Sequence, residues 1–311
     1  MIGLSLKHLR YFDALARSGH FGRAAESCAI SQPALSLQIK DLEGLVGAPL
    51  VERGGRQIRL TPLGEELAQR TGAILRSIDE LADLGRSAQA NLTGRVRLGV
   101  IPTAAPYLLP GVMKALTELY PTLDLRPREA VTQRLIEELS DAKLDAAIVA
   151  LPVSEPTLRE VPLFEEEFLL VRPVGDRDKP PPAIERLHEM RLLLLQEGHC
   201  FRDQALSVCK IEGALPRDLI EGSSLSTLVQ MVGAGIGVTL IPQMAIGAEA
   251  HAPTVHVTRL AEPRPTRTIG MIWRKTNPLS EQFSKIAEVV REVGVNRKAG
   301  IERLNIPGSG G

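Results

Sequence analysis

The sequence contains very little cysteine, three residues in a chain of 311. So small a number excludes the disulfide frameworks that stabilise small secreted domains. No signal peptide is visible, because the segment from Met1 to Arg17 is amphipathic and carries charges throughout. We therefore expect the protein to work in a reducing cytoplasm, where a cysteine pair is more often reactive or metal-binding than structural.

Long apolar runs are also missing. The most apolar segment, residues 229–248, is interrupted by Gln230, Pro242, Gln243 and four glycines, whereas a membrane span needs about 20 predominantly apolar residues. This segment is typical of a soluble core, and we expect no membrane partner. With 44% hydrophobic residues, the chain can bury the cores of two or three domains.

The chain has no net charge, because 37 Lys and Arg balance 37 Asp and Glu. A global basic field that attracts nucleic acid is therefore excluded. The charges are unevenly spread, since residues 1–62 carry eight Lys and Arg against five Asp and Glu. This surplus makes the N-terminal region the place to look for nucleic-acid binding.

Three short helices are predicted in that region, because apolar residues recur there at helical spacing. The three stripes are Leu6, Leu9, Phe12 and Leu15; Phe21, Ala24, Ala25 and Cys28; and Leu35, Ile39, Leu42 and Val46. Ser31 is a natural N-cap for the third helix, and Pro33 fits its first turn. The pattern predicts a helix-turn-helix, with Cys28 as a small core residue.

The third predicted helix has an outer face suited to reading DNA from the major groove. Five residues lie on it: Gln32, Pro33, Ser36, Leu37 and Lys40. Gln can read adenine, Ser either base and Lys a guanine or a phosphate, while Leu37 offers only an apolar contact such as one to a thymine methyl.

A Gly-containing stretch with Arg53 and Arg56 follows and predicts a wing on the phosphates. The alternative is a plain three-helix bundle with a solvated basic face. The cap, the turn, the polar face and the wing together favour DNA binding and a domain that spans residues 1–62.

Residues 63–90 are predicted to form one long helix. Its apolar positions fit a heptad, with weak places at Thr71 and Gly85: Leu67, Ile74, Ile78, Leu81 and Ala88. A solvated linker is one interpretation. Dimerisation is favoured, because an apolar seam needs a partner and a dimer places two recognition helices on two half-sites.

Residues 91–298 alternate between strand and helix patterns, which predicts an α/β domain with a parallel sheet. We expect two lobes, one of residues 91–166 and 268–298 and the other of residues 167–267. Ligands of such sheets lie beyond the carboxyl ends of the strands, where Thr103 and Thr132 fall. Each threonine could be a helix cap, and as a pair they could hold a small polar ligand. Residues 299–311 are expected to be a flexible tail.

Cys200 lies between His199 and Arg202, in the loop after a predicted strand of residues 192–195. Cationic neighbours and helix N-terminal amides stabilise a thiolate, which is the form that peroxide oxidises to a sulfenic acid. Cys209 could resolve that acid to a disulfide. Residues 203–208 between them are predicted to be helical, with Asp203 in the first turn. If they are, the two thiols are too far apart until the helix unwinds.

Two other interpretations of this stretch remain. Cys200 could be an inert core cysteine between surface residues. Alternatively, His199, Cys200 and Cys209 could bind a metal ion, although the spacing of the cysteines is not a usual zinc spacing and no fourth ligand is evident. We expect no metal and no cofactor.

The N-terminal region resembles the LysR-type transcriptional regulators. The resemblance rests on Ala24-Ala25, Ser31–Ile39, Leu42-Glu43, Leu50–Arg53 and Leu60–Gly64. It implies a winged helix-turn-helix with a linker helix, followed by a two-lobed domain like the periplasmic binding proteins. The sequence departs from the family pattern at Leu37, where many members carry a cationic or small residue.

The run from Gly198 to Leu206, with Cys209, Thr103, Thr132 and residues 267–270, resembles the peroxide-sensing members of that family. The resemblance implies that Cys200 reacts with peroxide and that Cys209 resolves the product. It further implies that His199, Thr103 and Thr132 hold the peroxide and its water, and that Asp203 and Arg267 support the site electrostatically.

The implied partners are promoter half-sites, hydrogen peroxide, further copies of the chain in a homodimer or homotetramer, RNA polymerase and a thiol reductant that resets the disulfide. Such regulators activate antioxidant genes, and some repress when reduced. Two alternatives stay open: a family member that binds a metabolite without covalent chemistry, and a thiol peroxidase. The peroxidase is less favoured, because a DNA-binding module would be idle in an enzyme.

Overall fold

The computed structural model describes residues 3–52, 58–87, 92–180, 182, 186–187, 190–208, 220–250 and 252–302. The chain divides into two compact units, Met1–Gly85 and Arg86–Gly311. Within the described ranges, no helix combines the length and the apolar character that a membrane crossing requires.

The first unit contains the three predicted helices. They are α1 (Leu6–Ser18), α2 (Phe21–Ser27) and α3 (Gln32–Val46). Two short strands, β1 (Val51–Glu52) and β2 (Arg59–Leu60), pair in antiparallel fashion; residues 53–57 of the predicted wing lie outside the described residues. The long helix α4 (Pro62–Ser87) follows.

Local chemistry explains where α3 begins and ends. The Ser31 hydroxyl accepts a hydrogen bond from the Ala34 N–H at 3.4 Å, as expected of an N-cap. Gly47 ends the helix at φ +78°, in the left-handed region that glycine occupies without strain. The Glu43 carboxylate then accepts the Leu50 N–H at 2.8 Å, which ties the end of α3 to the start of β1.

A small apolar core holds these helices together. Phe12, Leu15, Leu35, Leu42 and Leu50 are fully buried in it, and burying each such side chain contributes roughly 1.5–3 kcal/mol.

The prediction for Cys28 is wrong. Cys28 is the half-buried C-cap of α2, since the helix ends at Ser27, one residue before the apolar stripe does.

Part of the apolar seam of α4 is used inside the first unit. Leu67 packs against the core of the unit, and Thr71 is fully buried. Ile74 and Leu81 instead remain 45% and 66% exposed. Ala88, the last predicted seam position, lies outside the described residues.

The second unit is built on one continuous sheet. The described strands are β3 (Gly94–Val100), β4 (Leu123–Glu129), β5 (Ala146–Leu151), β6 (Leu158–Pro173), β7 (Leu192–Leu195), β8 (Ile220–Gly222), β9 (Val238–Pro242), β10 (Val255–Arg259) and β11 (Thr266–Arg274). The helices are α5 (Ala105–Leu119), α6 (Thr132–Ser140), α7 (Cys200–Val208), α8 (Leu225–Gly233), α9 (Ile246–Glu249) and α10 (Ser280–Glu302).

The strand order is β4-β3-β5-β11-β6-β9-β7-β8, and β10 also pairs with β6. The parallel pairs are those of β3 with β4 and β5 and of β7 with β8 and β9. The prediction of a parallel sheet holds for these strands only, because β6 pairs with β9, β10 and β11, and β11 with β5, in antiparallel fashion. The strand β6 joins the halves, because it pairs with β11 from Leu158 to Glu167 and with β9 or β10 from Phe168 to Pro173.

Several boundaries differ from the sequence predictions. The strand β6 begins at Leu158 rather than near Glu166, and β8 and β10 were not predicted. The helix α10 continues to Glu302, so residues 299–302 are helical rather than part of a tail, and residues 303–311 lie outside the described residues. An amphipathic helix loses its apolar stripe where it leaves the core, and periodicity therefore underestimates its length.

Candidate functional site

The loop between β7 and α7 brings the cysteine stretch to the start of α6. Gln196 donates its N–H to the Gly222 carbonyl at 3.1 Å, which anchors the loop beside β8. Gly198 has φ +92°, and a Cβ built on it would lie 3.9 Å from the Val131 side chain. Val131 is the residue before Thr132, the first residue of α6. The fold thus brings the loop that carries His199 and Cys200 against the segment that carries Thr132.

Cys200 is the first residue of α7, which starts three residues earlier than predicted. Its thiol is free and half-buried. The N–H groups of a helix's first turn lack partners within the helix and carry a partial positive charge. A sulfur at this position is therefore well placed to react as a thiolate.

Arg202 bonds to other groups and His199 favours its neutral form, so neither acts as the expected cationic neighbour of Cys200. Arg202 is 3% exposed and donates to the Leu195 carbonyl at 3.1 Å and to the Glu221 carboxylate. Burial lowers the pKa of His199 below its usual value of 6.5, so the neutral imidazole is favoured at neutral pH. The start of α7, rather than a basic flank, is therefore the feature on which the proposed reactivity of Cys200 rests.

Thr103 is hydrogen-bonded to a buried arginine, Arg267, that lies far from it in the sequence. Arg267 Nη1 donates to Thr103 Oγ1 at 2.9 Å, and Nη2 donates to the Thr103 carbonyl at 3.2 Å. Arg267 also donates to the Glu166 carboxylate through Nε at 2.9 Å. Thr103 does not cap a helix, because α5 has Ala104 at its N-cap and that cap has no side-chain hydrogen bond.

Thr132 is not a cap either, since Val131 holds that position in α6. Its Oγ1 is inaccessible to solvent and has no hydrogen-bond partner among the described residues. Buried hydroxyls nearly always have a partner, so an unpaired one beside the cysteine loop is a candidate hydrogen-bonding group for a bound ligand.

Gln204 is a candidate site residue that the sequence prediction missed. It follows Cys200 by four residues, one turn along α7, and its Oε1 is likewise inaccessible and unpaired among the described residues. The helical spacing of four residues was the available sign, because it places two side chains on one face.

Two other predicted residues of this site have a different outcome. Asp203 is in the first turn of α7, where its charge suits the helix N-terminus, but its side chain is exposed. Cys209 lies outside the described residues. Among the residues that the structure does describe, no group of three or more His, Cys, Asp or Glu side chains could hold a metal ion.

The predicted DNA-reading residues lie together on the exposed face of α3. That face carries Gln32, Pro33, Ser36, Leu37 and Lys40, and Leu37 is 65% exposed. The opposite face carries Leu35, Ile39 and Leu42, all buried in the core of the unit. Arg53 and Arg56 lie outside the described residues.

Comparison with known protein families gives two matches. Residues 6–65 match the family described as "Bacterial regulatory helix-turn-helix protein, lysR family". Residues 89–294 match the family described as "LysR substrate binding domain". The two matches cover the regions that hold the two sites described above.

Curated relatives match over nearly their whole length. A probable hydrogen peroxide-inducible genes activator of Streptomyces viridosporus is 40% identical over 294 residues, which are 93% of this chain and 94% of the relative. The DNA-binding transcriptional dual regulator OxyR of Escherichia coli K12 is 37% identical over 292 residues, 93% of this chain and 95% of that protein.

Solved structures give the same result. Full-length OxyR from Pseudomonas aeruginosa with a cysteine-to-aspartate substitution has a TM-score of 0.73 and 35% identity, covering 93% of this chain and 95% of that one. An H2O2-bound cysteine-to-serine mutant of Corynebacterium glutamicum OxyR has a TM-score of 0.69 and 32% identity, covering 97% and 96%. The predicted fold class, a helix-turn-helix followed by a domain like the periplasmic binding proteins, is confirmed.

Proposed function

Because the chain belongs to the LysR family of transcriptional regulators, we propose that it senses hydrogen peroxide through Cys200 and resolves the product with Cys209. The protein is a DNA-binding regulator of the peroxide-responsive type and not an enzyme. The observation that carries the proposed chemistry is the free thiol of Cys200 on the first residue of α7.

The first chemical step is an attack of the Cys200 thiolate on one oxygen of hydrogen peroxide. The O–O bond breaks, the distal oxygen takes up a proton and leaves as water, and the sulfur becomes a sulfenic acid. Thr103 and Thr132 each offer a hydroxyl for the peroxide or the departing water. His199, neutral because burial lowers its pKa, supplies a ring nitrogen that can accept or donate a proton there.

The second step forms the disulfide. The Cys209 thiolate attacks the oxidised sulfur of Cys200, the S–O bond breaks, and the oxygen takes up a proton and leaves as water. A thiol reductant returns both cysteines to thiols by exchange.

The helix α7 is the element that the second step would change. It runs from Cys200 to Val208, so its ends are eight rises of ~1.5 Å, or roughly 12 Å, apart. Val208 is bonded to Cys209, and a disulfide needs Cα atoms within about 7 Å. Oxidation therefore requires α7 to open, and this change would be relayed to the DNA-binding unit.

The DNA surface of the proposal consists of Gln32, Pro33, Ser36, Leu37, Lys40, Arg53 and Arg56. The exposed Ile74 and Leu81 of α4 support dimerisation through that helix, because an apolar stripe on a helix needs a partner. A homotetramer, contact with RNA polymerase, activation of antioxidant genes and a cytoplasmic location with its thiol reductants complete the proposal.

The test measures disulfide formation and DNA binding together. Full-length protein is exposed to micromolar hydrogen peroxide, digested without reduction and analysed by mass spectrometry, while a promoter fragment is footprinted with the same samples. We expect a Cys200–Cys209 disulfide and a changed footprint. The variants Cys200→Ser and Cys209→Ser should lose both, whereas the matched control Cys28→Ser should keep both.

A changed footprint with Cys200 and Cys209 still free as thiols would refute this mechanism. A Cys200→Ser variant that still responds would favour the binding of a metabolite without covalent chemistry.

A further inference from the structure

Glu166 is not one of the cysteines and threonines of the site described above. It is nevertheless hydrogen-bonded to Arg267, which in turn donates to Thr103. It lies on β6, directly across from Arg267 in the antiparallel pairing of β6 with β11. Both side chains are almost completely buried, at 2% and 3% exposure. A buried ion pair of this kind needs its hydrogen bonds satisfied, because both charges have been removed from water.

The carboxylate of Glu166 is fixed by two separate elements. Its Oε1 accepts from Arg267 Nε at 2.9 Å and lies 2.8 Å from Nη2. Its Oε2 accepts the Met244 backbone N–H at 2.9 Å. Because one oxygen is used by a side chain and the other by the backbone, the carboxylate cannot rotate without breaking a buried hydrogen bond.

Arg267 passes this constraint to Thr103. With Nε and Nη2 directed at Glu166, Nη1 is left to donate to Thr103 Oγ1. A guanidinium has only donors, so Arg267 cannot accept the hydroxyl proton of Thr103. That proton is therefore free to be donated to a ligand, from an oxygen whose position is set by Arg267.

Arg267 also reaches the first turn of α7. Its guanidinium carbon lies 5.0 Å from the ring centroid of Phe201, the residue after Cys200. One arginine thus connects the hydroxyl of Thr103 with the helix that carries the thiol, and one carboxylate determines where that arginine points.

We propose that Glu166 is a positioning residue for peroxide reduction, acting through Arg267 to hold the Thr103 hydroxyl as a hydrogen-bond donor to the oxygen that leaves. This role for Glu166 rests on the proposed function, because it assigns a further residue to the same reaction. Glu166 does not touch the peroxide and exchanges no proton with it.

The test compares two reactions of the same thiol in the full-length protein. The first is oxidation of Cys200 by hydrogen peroxide, followed by rapid quenching and mass spectrometry. The second is alkylation by iodoacetamide, which responds to access and to the thiolate but needs no donor for a leaving oxygen. In Glu166→Gln we expect the peroxide rate constant to fall about tenfold to a hundredfold, as misplacement of a reacting group does, while the alkylation rate stays within about twofold.

Two further variants make the test specific. Glu167→Gln is the matched control, because the Glu167 carboxylate is next in sequence to Glu166 but pairs with Arg259 and Arg264 instead. Both rates should remain unchanged in this variant. In a Thr103→Val background, Glu166→Gln should cause no additional loss, because the group through which it acts is already gone.

A folded Glu166→Gln protein that reacts with peroxide at the wild-type rate would overturn the inference, and so would a parallel fall of both rates. If Glu166→Gln does not fold, Glu166→Asp takes its place, because the shorter side chain cannot reach both Arg267 and the Met244 N–H. An unchanged ratio of the peroxide rate to the alkylation rate in Glu166→Asp would also overturn the inference. Failure of the proposed function is distinct, since Cys200 would then not react with peroxide in the wild-type protein.

Discussion

Phe201 of α7 stacks on Phe168 of β6, with 5.1 Å between ring centroids and 22° between ring planes. Both rings are buried in the core of the second unit. The residue next to the proposed reactive cysteine thus attaches α7 to the sheet. Opening of the helix must overcome this contact.

We predict that Phe201→Ala makes the disulfide easier to form. A Phe-to-Ala change in a core costs about 3 kcal/mol, and here the cost falls on the reduced state with α7 closed. The midpoint potential of the Cys200–Cys209 pair should become more negative, by up to about 60 mV at 30 mV per 1.4 kcal/mol. Redox titration in thiol buffers measures the shift.

Phe283→Ala is the matched control for that titration. Phe283 is fully buried in the same core and packs edge-on against Trp273 at 5.8 Å. Its loss should lower stability by a similar amount and leave the potential unchanged. Equal shifts of the midpoint potential in both variants would mean that Phe201 affects the disulfide no more than another core residue does.

Thr132 offers a test that separates function from stability. Its buried Oγ1 has no partner among the described residues, so Thr132→Val removes an unsatisfied group and should not destabilise the protein. The rate of peroxide oxidation of Cys200 should nevertheless fall about tenfold or more, as expected for a lost donor in a transition state. Thermal unfolding and quenched oxidation kinetics measure the two effects.

Thr239→Val should behave in the opposite way. The Thr239 hydroxyl donates to the Leu193 carbonyl at 2.8 Å in the core, so its loss should lower the free energy of unfolding by about 1 kcal/mol without changing the oxidation rate. A Thr132→Val protein with normal kinetics would remove Thr132 from the proposed site.

Lys40→Ala should weaken DNA binding at all sequences to a similar degree. Lys40 is exposed on α3. The slope of log K against log salt is negative, and each lost phosphate contact makes it shallower by about 0.9. Binding to a promoter fragment at several salt concentrations measures this slope. Arg70→Ala, which removes the exposed Arg70–Glu66 pair of α4, serves as the control and should leave it unchanged.

Leu37 should read a thymine methyl in each half-site. A leucine that is 65% exposed on the proposed DNA-reading face of α3 leaves its apolar side chain in water unless a partner covers it. Replacing that thymine by deoxyuridine removes one methyl group, about 0.8 kcal/mol or fourfold in affinity. Scanning each thymine of a footprinted site should reveal one such position for the wild type and none for Leu37→Ala. A scan in which both proteins respond alike contradicts the assignment.

Stability should depend on pH through His199. Burial lowers its pKa below 6.5 in the folded protein, so the unfolded chain binds more protons between the two pKa values. Stability is therefore fully present above about pH 6.5 and declines as the pH falls through that value towards the folded pKa. Melting curves of the wild type should show this decline, and those of His199→Gln should show less of it.

His256 sets the background for that measurement. Burial, with smaller effects from Arg172 and Arg177, lowers its pKa in the same direction. His256→Gln should remove a second part of the decline while leaving peroxide kinetics unchanged. If His199→Gln melts with the same pH dependence as the wild type, His199 is not the buried neutral group that its surroundings indicate.

The architecture could largely be predicted from the sequence, because it depends on local patterns. Ser31, Gly47 and Ser224 act at the helix ends where their chemistry places them. Strand 192–195 was predicted with its observed bounds. The starts of β6 and α7 were missed, since neither has a periodic signature distinct from its flanks.

The surroundings of the cysteine could not be predicted, because they depend on contacts across the fold. Sequence adjacency suggested that Arg202 would face the thiol, whereas it is buried against Glu221, 19 residues away. Glu166 and Arg267 are 101 residues apart and meet only through the register of β6 with β11. The motif residues therefore include the cysteine proposed to react but not Glu166, which is hydrogen-bonded to Arg267.

The position of Cys200 on the first residue of α7 has a consequence for the order of events. A thiolate there is an anion at the positive end of the helix and stabilises the helix by about 0.3–1 kcal/mol. Sulfenic acid is largely uncharged, so the first oxidation step withdraws this support before any second sulfur has arrived. On the proposed chemistry, peroxide loosens the same helix that separates the thiols, and the first oxidation step lowers the barrier to the second.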